Sequence, residues 1–386
     1  MLAGDNLAIV VPHSGQPTET FIRRYCEHLL PGRTVMVHFY YGADAWKPDC
    51  PTYFPADAFG GHRILARAWR GLQKTVGINS LFGDPFMARS LRRFLRRHNV
   101  SVVFSQYLTG GSGVQSVVSG LGLRHVVRGL GYDLSSALMH ERWRRESLVL
   151  DEAAAIVVPS PYQVDRLRSI GLRKVPIHAL PCGVDLPSES MQSTKARRGR
   201  VVHLVAAGRM VQKKAPAHLL KAFFLAVDYF EEMKLTIIGD GPLFKAAREL
   251  CLTSPHASKV TFLGALPHRD MLTAVAGADI FIQHSMTDPD TGDQEGVPVS
   301  ILEAMARGVP VISTRHSGIP YVVEDGVSGL LSNEGDVSGM ANSIRKLAAD
   351  DDLRLKMGES ARVKATSFSW KMEKEALLTL LDGSIT

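Results

Sequence analysis

Two carboxylates and two cations carry the chemistry that this chain advertises. Glu295 and Glu303 stand on either side of Gly296-Val297-Pro298-Val299, inside the stretch Asp293–Leu331. The pattern predicts a polar loop that turns at 296–298 and enters a helix beginning with Val299–Met305. Gly308, free to take positive φ, closes that helix. The first N–H groups of such a helix have no partner in the chain and carry partial positive charge, which suits a diphosphate. Glu303 lies about two turns further on, where its carboxylate can accept hydrogen bonds from sugar hydroxyls. Two carboxylates bracketing an anion-binding helix start suit a sugar linked to a nucleotide. The plain alternative is two solvated glutamates on a loop and a helix.

Two earlier loops add weight. Gly208-Arg209 and Lys214 follow an apolar strand and place two cations at one mouth, where they would neutralise a diphosphate leaving group. Gly239-Asp240-Gly241 follows the next strand and lets backbone approach a ligand closely. Taken singly each is weak, because an Arg and a Lys five residues apart are most often a solvated loop. Asp288-Pro289-Asp290 has the acidic spacing of a metal site but sits in a polar loop, so we read it as solvated and expect no metal.

Short apolar runs position these loops. Leu7–Val11, 34–40, 100–105, 125–128, 155–158 and 177–180 read as buried strands, with helices expected near 18–29, 63–76, 85–98 and up to 118. Residues 42–60 read as irregular. The glycine-rich 109–113 resembles a dinucleotide fingerprint only faintly, lacking its spacing and its acidic partner. Ser160-Pro161 reads as a cap and first turn. Residues 187–200 are polar and make the best linker. Beyond it the rhythm restarts, with strands at 201–206, 234–238, 260–263, 279–283 and 309–312. Helices are expected at 217–229, from 243, and at 269–277, 337–349, 352–364 and 370–381. Alternation on both sides of a linker predicts an α/β fold of two doubly wound, Rossmann-like domains. In such sheets ligands sit beyond the carboxyl ends of the strands.

A length of 386 residues also favours two domains over one core. No apolar run reaches the ~20 residues that span a bilayer. The four cysteines are scattered and read as reduced thiols of a cytoplasmic protein. The net charge of +7 sits wholly in residues 1–190, where 22 Lys and Arg meet 15 Asp and Glu, against 23 of each in 191–386. Much of it lies on two amphipathic helices. One carries Arg63, Arg67, Arg70 and Lys74, and the other carries Arg89, Arg92, Arg93, Arg96 and Arg97. Such helices suit an anionic membrane surface or an acidic substrate, or simply turn arginines to water. No nucleic-acid module accompanies them, and nucleic acid is not an expected partner.

The constellation resembles the retaining glycosyltransferases of family four, which have the GT-B fold. The resemblance covers most of the chain and is strongest over 201–331. It is carried by G-R-M-V-Q-K-K, I-I-G-D-G-P-L, F-L-G-A-L-P-H, A-D-I-F-I-Q-H-S and E-G-V-P-V-S-I-L-E-A-M-A. It implies an N-terminal acceptor domain over 1–186 and a donor domain over 201–365, facing it across a cleft. A C-terminal helix within 366–386 would return to the first domain. Arg209 and Lys214 would hold the diphosphate, Glu303 the ribose, and Glu295 the donor sugar near the reacting centre. Gly208, Gly239, Asp240 and Gly241 would shape the donor site. N–H groups of Val297 and Val299 would add to the phosphate grip around Pro298, and backbone near Gly264–Pro267, Leu266 included, would contact the base. The donor would be UDP- or GDP-linked, with no cofactor and no metal. In the first domain T-E-T-F-I and L-G-Y-D-L-S are similar to a subgroup that builds bacterial exopolysaccharides. Gly15, Thr18, Glu19, Tyr132 and Asp133 are the acceptor- or sugar-binding candidates there. The chain departs from the family pattern in two places: Gly15 stands alone where a Gly-Gly pair is usual, and Leu130 stands where relatives carry histidine. His13 and His125 read as structural rather than as substitutes. The resemblance implies sugar transfer to a saccharide or lipid-linked acceptor at the inner face of the membrane. A nucleotide-sugar isomerase or hydrolase of the same fold, or a non-catalytic binding subunit, would share these motifs.

Overall fold

The computed structural model describes residues 6–12, 20–39, 48–75, 84–187 and 201–383. The chain divides into two compact units, Met1–Leu180 with Lys374–Thr386, and Pro181–Glu373.

The first unit alternates strand and helix: β1 (Asn6–Val11), α1 (Thr20–His28), β2 (Thr34–His38), β3 (Thr52–Tyr53), α2 (Arg63–Thr75), α3 (Pro85–Arg97), β4 (Val100–Gln106), α4 (Leu108–Ser119) and β5 (Arg124–Arg128). Short helices α5 (Ser136–Met139) and α6 (Glu141–Ser147) precede β6 (Ala155–Val158), α7 (Pro161–Ser169) and β7 (Ile177–Ala179). The strands lie in the order β3-β2-β1-β4-β5-β6-β7, and every pairing among the described residues is parallel. Leu7 to Val11 are all buried, as a strand covered by helices on both faces must be.

The second unit repeats the plan with β8 (Val202–Ala207), α8 (Pro216–Val227), β9 (Met233–Ile238), α9 (Phe244–Leu252), β10 (Val260–Gly264), α10 (His268–Ala276) and β11 (Ile280–Ile282). There follow α11 (Val299–Ala306), β12 (Val311–Thr314), α12 (Ile319–Val322), β13 (Gly329–Ser332), α13 (Val337–Ala349), α14 (Asp351–Thr366) and α15 (Trp370–Asp382). Its order is β10-β9-β8-β11-β12-β13, again all parallel. Alternate strand residues feed two cores. Leu204 and Ile237 pack with Leu220 and Met340 on one face, while Val205, Ile238 and Phe281 pack with Ile301 and Ala361 on the other. In both sheets the strand order reverses beside the first strand, at β1/β4 and at β8/β11. This is the doubly wound topology, and each reversal opens a crevice at the carboxyl ends of its strands.

Several expectations need correction. Residues 42–60 are not wholly irregular: Thr52–Tyr53 adds an edge strand and Pro55–Phe59 a helical turn. The glycine-rich 109–113, faintly like a dinucleotide fingerprint, lies inside α4. A Cβ on Gly111 would stand 2.6 Å from Val127 Cγ1, and one on Gly113 2.6 Å from Phe39 Cε2. They let a helix press onto its sheet. Ser160 makes no capping bond to α7, and its hydroxyl donates to the Gln163 side chain instead. The first unit ends at Leu180, not at 186. Pro181–Leu186 belongs to the second unit, where Val184 exchanges backbone hydrogen bonds with Phe368 and Trp370, and Gly183 N–H donates to Glu373. Residues 188–200 of the expected linker lie outside the described residues. The last helix begins in the second unit and ends in the first, where Arg124 Nε donates to the Leu380 carbonyl at 2.8 Å.

Candidate donor site

The β8/β11 reversal collects the loop after β8, which carries Gly208, Arg209 and Lys214, and the long loop after β11, which carries Glu295. Arg209, Met210 and Lys214 line one pocket with Ala207, Ile238 and Gln283. Lys214 Nζ lies 3.4 Å from Glu295 Oε1, and both side chains are largely buried. Burial pushes the Lys214 ammonium down, with Glu295 opposing that and Lys213 and Arg209 adding to it. Burial alone would raise the Glu295 carboxyl. Lys214 and Lys213 together outweigh it and hold Glu295 below the usual carboxylate range. The Lys214–Glu295 pair is largely buried, with Arg209 exposed beside it. Gly208 lies against the Lys214 side chain, where a Cβ would meet Lys214 Cε at 3.5 Å, an ordinary van der Waals contact.

The Glu295 backbone is pinned from both sides. Its N–H donates to His316 Nε2 at 3.0 Å, which places the ring proton on Nδ1, and Nδ1 donates to Glu334 Oε1 at 2.6 Å. Ser317 Oγ donates to the Glu295 carbonyl at 2.6 Å. Lys213 is tied down separately, to Asp293 at 2.9 Å and to the Gln294 carbonyl at 3.2 Å. Sequence reasoning missed Lys213, His316 and Glu334. His316 had one signal, a histidine in a Thr-Arg-His-Ser-Gly turn directly after a buried strand.

The helix after Glu295 begins as expected, with Pro298 as its capping residue and Val299 in its first turn. No side chain caps it, so its leading N–H groups are open to an anion. Val297 packs against the core beneath and Val299 is exposed. Gly308 takes φ 71°, ending the segment. Glu303, in the second turn of α11, is 7% exposed, and its Oε1 lies 2.6 Å from His268 Nε2. Leu266 packs against the same core as Val297.

One expectation changes its meaning. Gly239 and Gly241 do allow close backbone approach, but the approaching backbone is this chain's own. A Cβ on Gly239 would stand 2.0 Å from the Gly208 carbonyl oxygen, and one on Gly241 2.7 Å from that of Met210. The Asp240 carboxylate folds back on the Gly241 N–H at 2.7 Å. These residues support the cationic loop after β8. Asp288 behaves similarly, accepting from the Asp290 N–H at 3.0 Å.

Comparison with known proteins places this geometry. Residues 189–364 match the family described as glycosyl transferases group 1, and residues 18–183 match the glycosyl transferase 4-like domain. The chain belongs to the group 1 glycosyltransferases. It is 31% identical over 222 residues to a putative colanic acid biosynthesis glycosyltransferase, WcaL, of Salmonella typhimurium, covering 57% of this chain and 54% of that one. The match thus spans little more than half of that relative. A GDP-mannose-dependent phosphatidylinositol monomannoside mannosyltransferase of Mycolicibacterium smegmatis is 24% identical, covering 97% of this chain and 98% of its own. Among solved structures, HepE of Anabaena in complex with UDP superposes with a TM-score of 0.77 at 17% identity, covering 98% of this chain and all of that one. The shared fold is GT-B.

In the first unit, one of the described candidates is buried. Asp133 is not available to a sugar. It is buried, Oδ2 accepts from the Leu108 N–H at 2.8 Å, and Oδ1 accepts from the N–H groups of Leu130 and Gly131 at 3.1 Å each. It ties the start of α4 to the turn after β5. His125 is structural as expected, with Nδ1 on Gln115, Nε2 on Ser105 and burial pushing it down to about 3. Tyr132 is 39% exposed, its hydroxyl 3.3 Å from Thr109 Oγ1. His13, Gly15, Thr18 and Glu19 lie outside the described residues.

Proposed function

We propose that this chain transfers a sugar from a UDP- or GDP-linked donor to a saccharide or lipid-linked acceptor, keeping the anomeric configuration. The observation that carries the reading is the largely buried Lys214–Glu295 pair beside the uncapped start of α11, at the strand reversal where such sheets bind ligands. Arg209, Lys214 and the α11 N–H groups would take the charge that develops on the departing diphosphate, so neither cofactor nor metal enters the step. Glu303 would accept from the ribose hydroxyls. Glu295, pinned through its backbone, would orient the donor sugar against the acceptor hydroxyl. The names of the relatives, exopolysaccharide and mannolipid transferases among them, support this class of donor and acceptor. Incubating purified protein with UDP-glucose or GDP-mannose, with and without oligosaccharide acceptors, tests it by NMR of the product. An α-linked glycoside formed only with acceptor is expected. Free sugar regardless of acceptor would mark a hydrolase, and no donor turnover a binding subunit.

We also propose that the protein docks peripherally on the inner face of the membrane. Asp84 caps α3 by accepting from the N–H groups of Phe86 and Met87, and Met87, Leu91 and Leu95 bury one side of the helix. The other side presents Arg89, Arg92, Arg93, Arg96 and Arg97 around a hollow that reaches Pro85 and Gly120. No ion pair to these arginines occurs among the described residues, so their charge is available to lipid phosphates. Among the described residues no helix is long and apolar enough to cross a membrane. Co-sedimentation with vesicles containing anionic lipid at low salt is expected, with loss at ~0.5 M salt and in an R92E/R93E/R96E variant. Unchanged partitioning of that variant would leave the arginines as a solvated face.

A further inference from the structure

We infer that His268 is a positioning residue for Glu303, holding its carboxylate in the orientation that receives the donor ribose. The inference rests on the donor reading above and assigns a role to a residue outside the expected site.

Glu303 is a carboxylate in an apolar setting. Its neighbours in the helix, Leu302 and Ala304, are fully buried. An ionised carboxylate there needs hydrogen-bond donors. Only one of its oxygens has a side-chain partner: Oε1 lies 2.6 Å from His268 Nε2, while Oε2 has no hydrogen bond among the described residues. Arg307 Nη1 donates to the Glu303 main-chain carbonyl at 2.9 Å, fixing the turn from below without occupying the carboxylate. One oxygen is therefore held and the other left to accept.

His268 is suited to holding. It opens α10 directly after Pro267, so its backbone is set by the strand β10 and the helix start together. Its side chain is 44% exposed against 9% for that of Glu303, so the donor reaches in from the surface to the buried acceptor. An exposed ion pair on a surface contributes little. This one instead fixes the rotamer of a buried group before any ligand arrives, which removes an ordering cost from binding. If His268 served only to stabilise the fold, losing it would affect every ligand equally. A positioning role is felt only where the ribose offers hydroxyls to Glu303.

The test is calorimetric binding of UDP and GDP, and of their 2′,3′-dideoxy counterparts, to wild type, H268L and H268Q. Wild type is expected to bind one of the two ribonucleotides more tightly than its dideoxy form. H268L should weaken that ribonucleotide roughly tenfold, the scale of one charge-assisted hydrogen bond, and the dideoxy form by less than about twofold. H268Q, whose amide N–H can reach the same oxygen, should recover most of the loss. Equal weakening of both forms by H268L, or none, overturns the role of His268 and leaves the donor site standing. Equal binding of both forms by wild type removes Glu303 from the ribose, and His268 with it. Binding of neither UDP nor GDP by wild type overturns the donor reading itself.

Discussion

Replacing Lys214 with methionine lowers sugar transfer by about two to three orders of magnitude, the loss that follows removal of one preorganised group facing developing charge. The residue cannot be replaced by its neighbour. Lys213 Nζ stands 3.9 Å from Glu295 Oε1 and is already bound to Asp293 at 2.9 Å. Methionine keeps the length of the side chain, so Gly208 and the loop after β8 stay packed, but Glu295 loses its nearest cation. The variant is expected to unfold a few degrees lower, because a largely buried carboxylate is left with weaker compensation. Arg209→Ala separates the two effects. Arg209 is exposed, so its loss should leave the melting temperature unchanged while turnover still falls steeply. Steady-state kinetics of both variants with thermal unfolding alongside checks this. Transfer within threefold of wild type in both would remove the cations from the reaction.

Replacing Gly239 with alanine destabilises the second unit by about 3 kcal/mol or more, without touching any charged group. The added Cβ would lie 2.0 Å from the Gly208 carbonyl oxygen and 2.9 Å from its carbon, and backbone φ at 133° is already strained for alanine. No side-chain rotation relieves the clash, since the atoms in the way are backbone. In a domain of this size the change corresponds to roughly 6–12 °C in melting temperature. Donor binding should weaken as well, because Gly208 moves with Lys214 behind it. A shift of less than about 2 °C would show that the two loops are not packed as described.

The fold was largely legible. Short apolar runs marked most of the parallel strands, and the polar segment at 187–200 fell close to the change of unit. What escaped has physical causes. The strand Gly329–Ser332 and the short helices at 136–147 and 319–322 carry no long periodic pattern. The glycines of α4 faintly resembled a dinucleotide fingerprint because a glycine needed for close helix–sheet packing has the same letter as one needed for a turn. In the site, Arg209, Lys214 and Glu295 were visible because the loops that carry them occur in one order along the chain, and the structure brings them together. Asp133 looked like a ligand group, but a side chain that bonds three backbone N–H groups leaves no trace of them in sequence. His268 and His316 were hidden for the opposite reason. Each takes its meaning from a carboxylate or amide 35 or 21 positions away, a contact that only the folded sheet creates.

The most direct test of the donor site is nucleotide binding itself. Titration of UDP and GDP into wild type, Arg209→Ala, Lys214→Met and Glu303→Ala should give micromolar-range binding of one nucleotide to wild type. Each variant should weaken it by about tenfold or more, and Asp288→Ala, in the same long loop but folded back on itself, should leave it unchanged. Wild type that binds neither nucleotide, or variants that all bind as wild type does, would contradict a diphosphate held at the β8/β11 reversal.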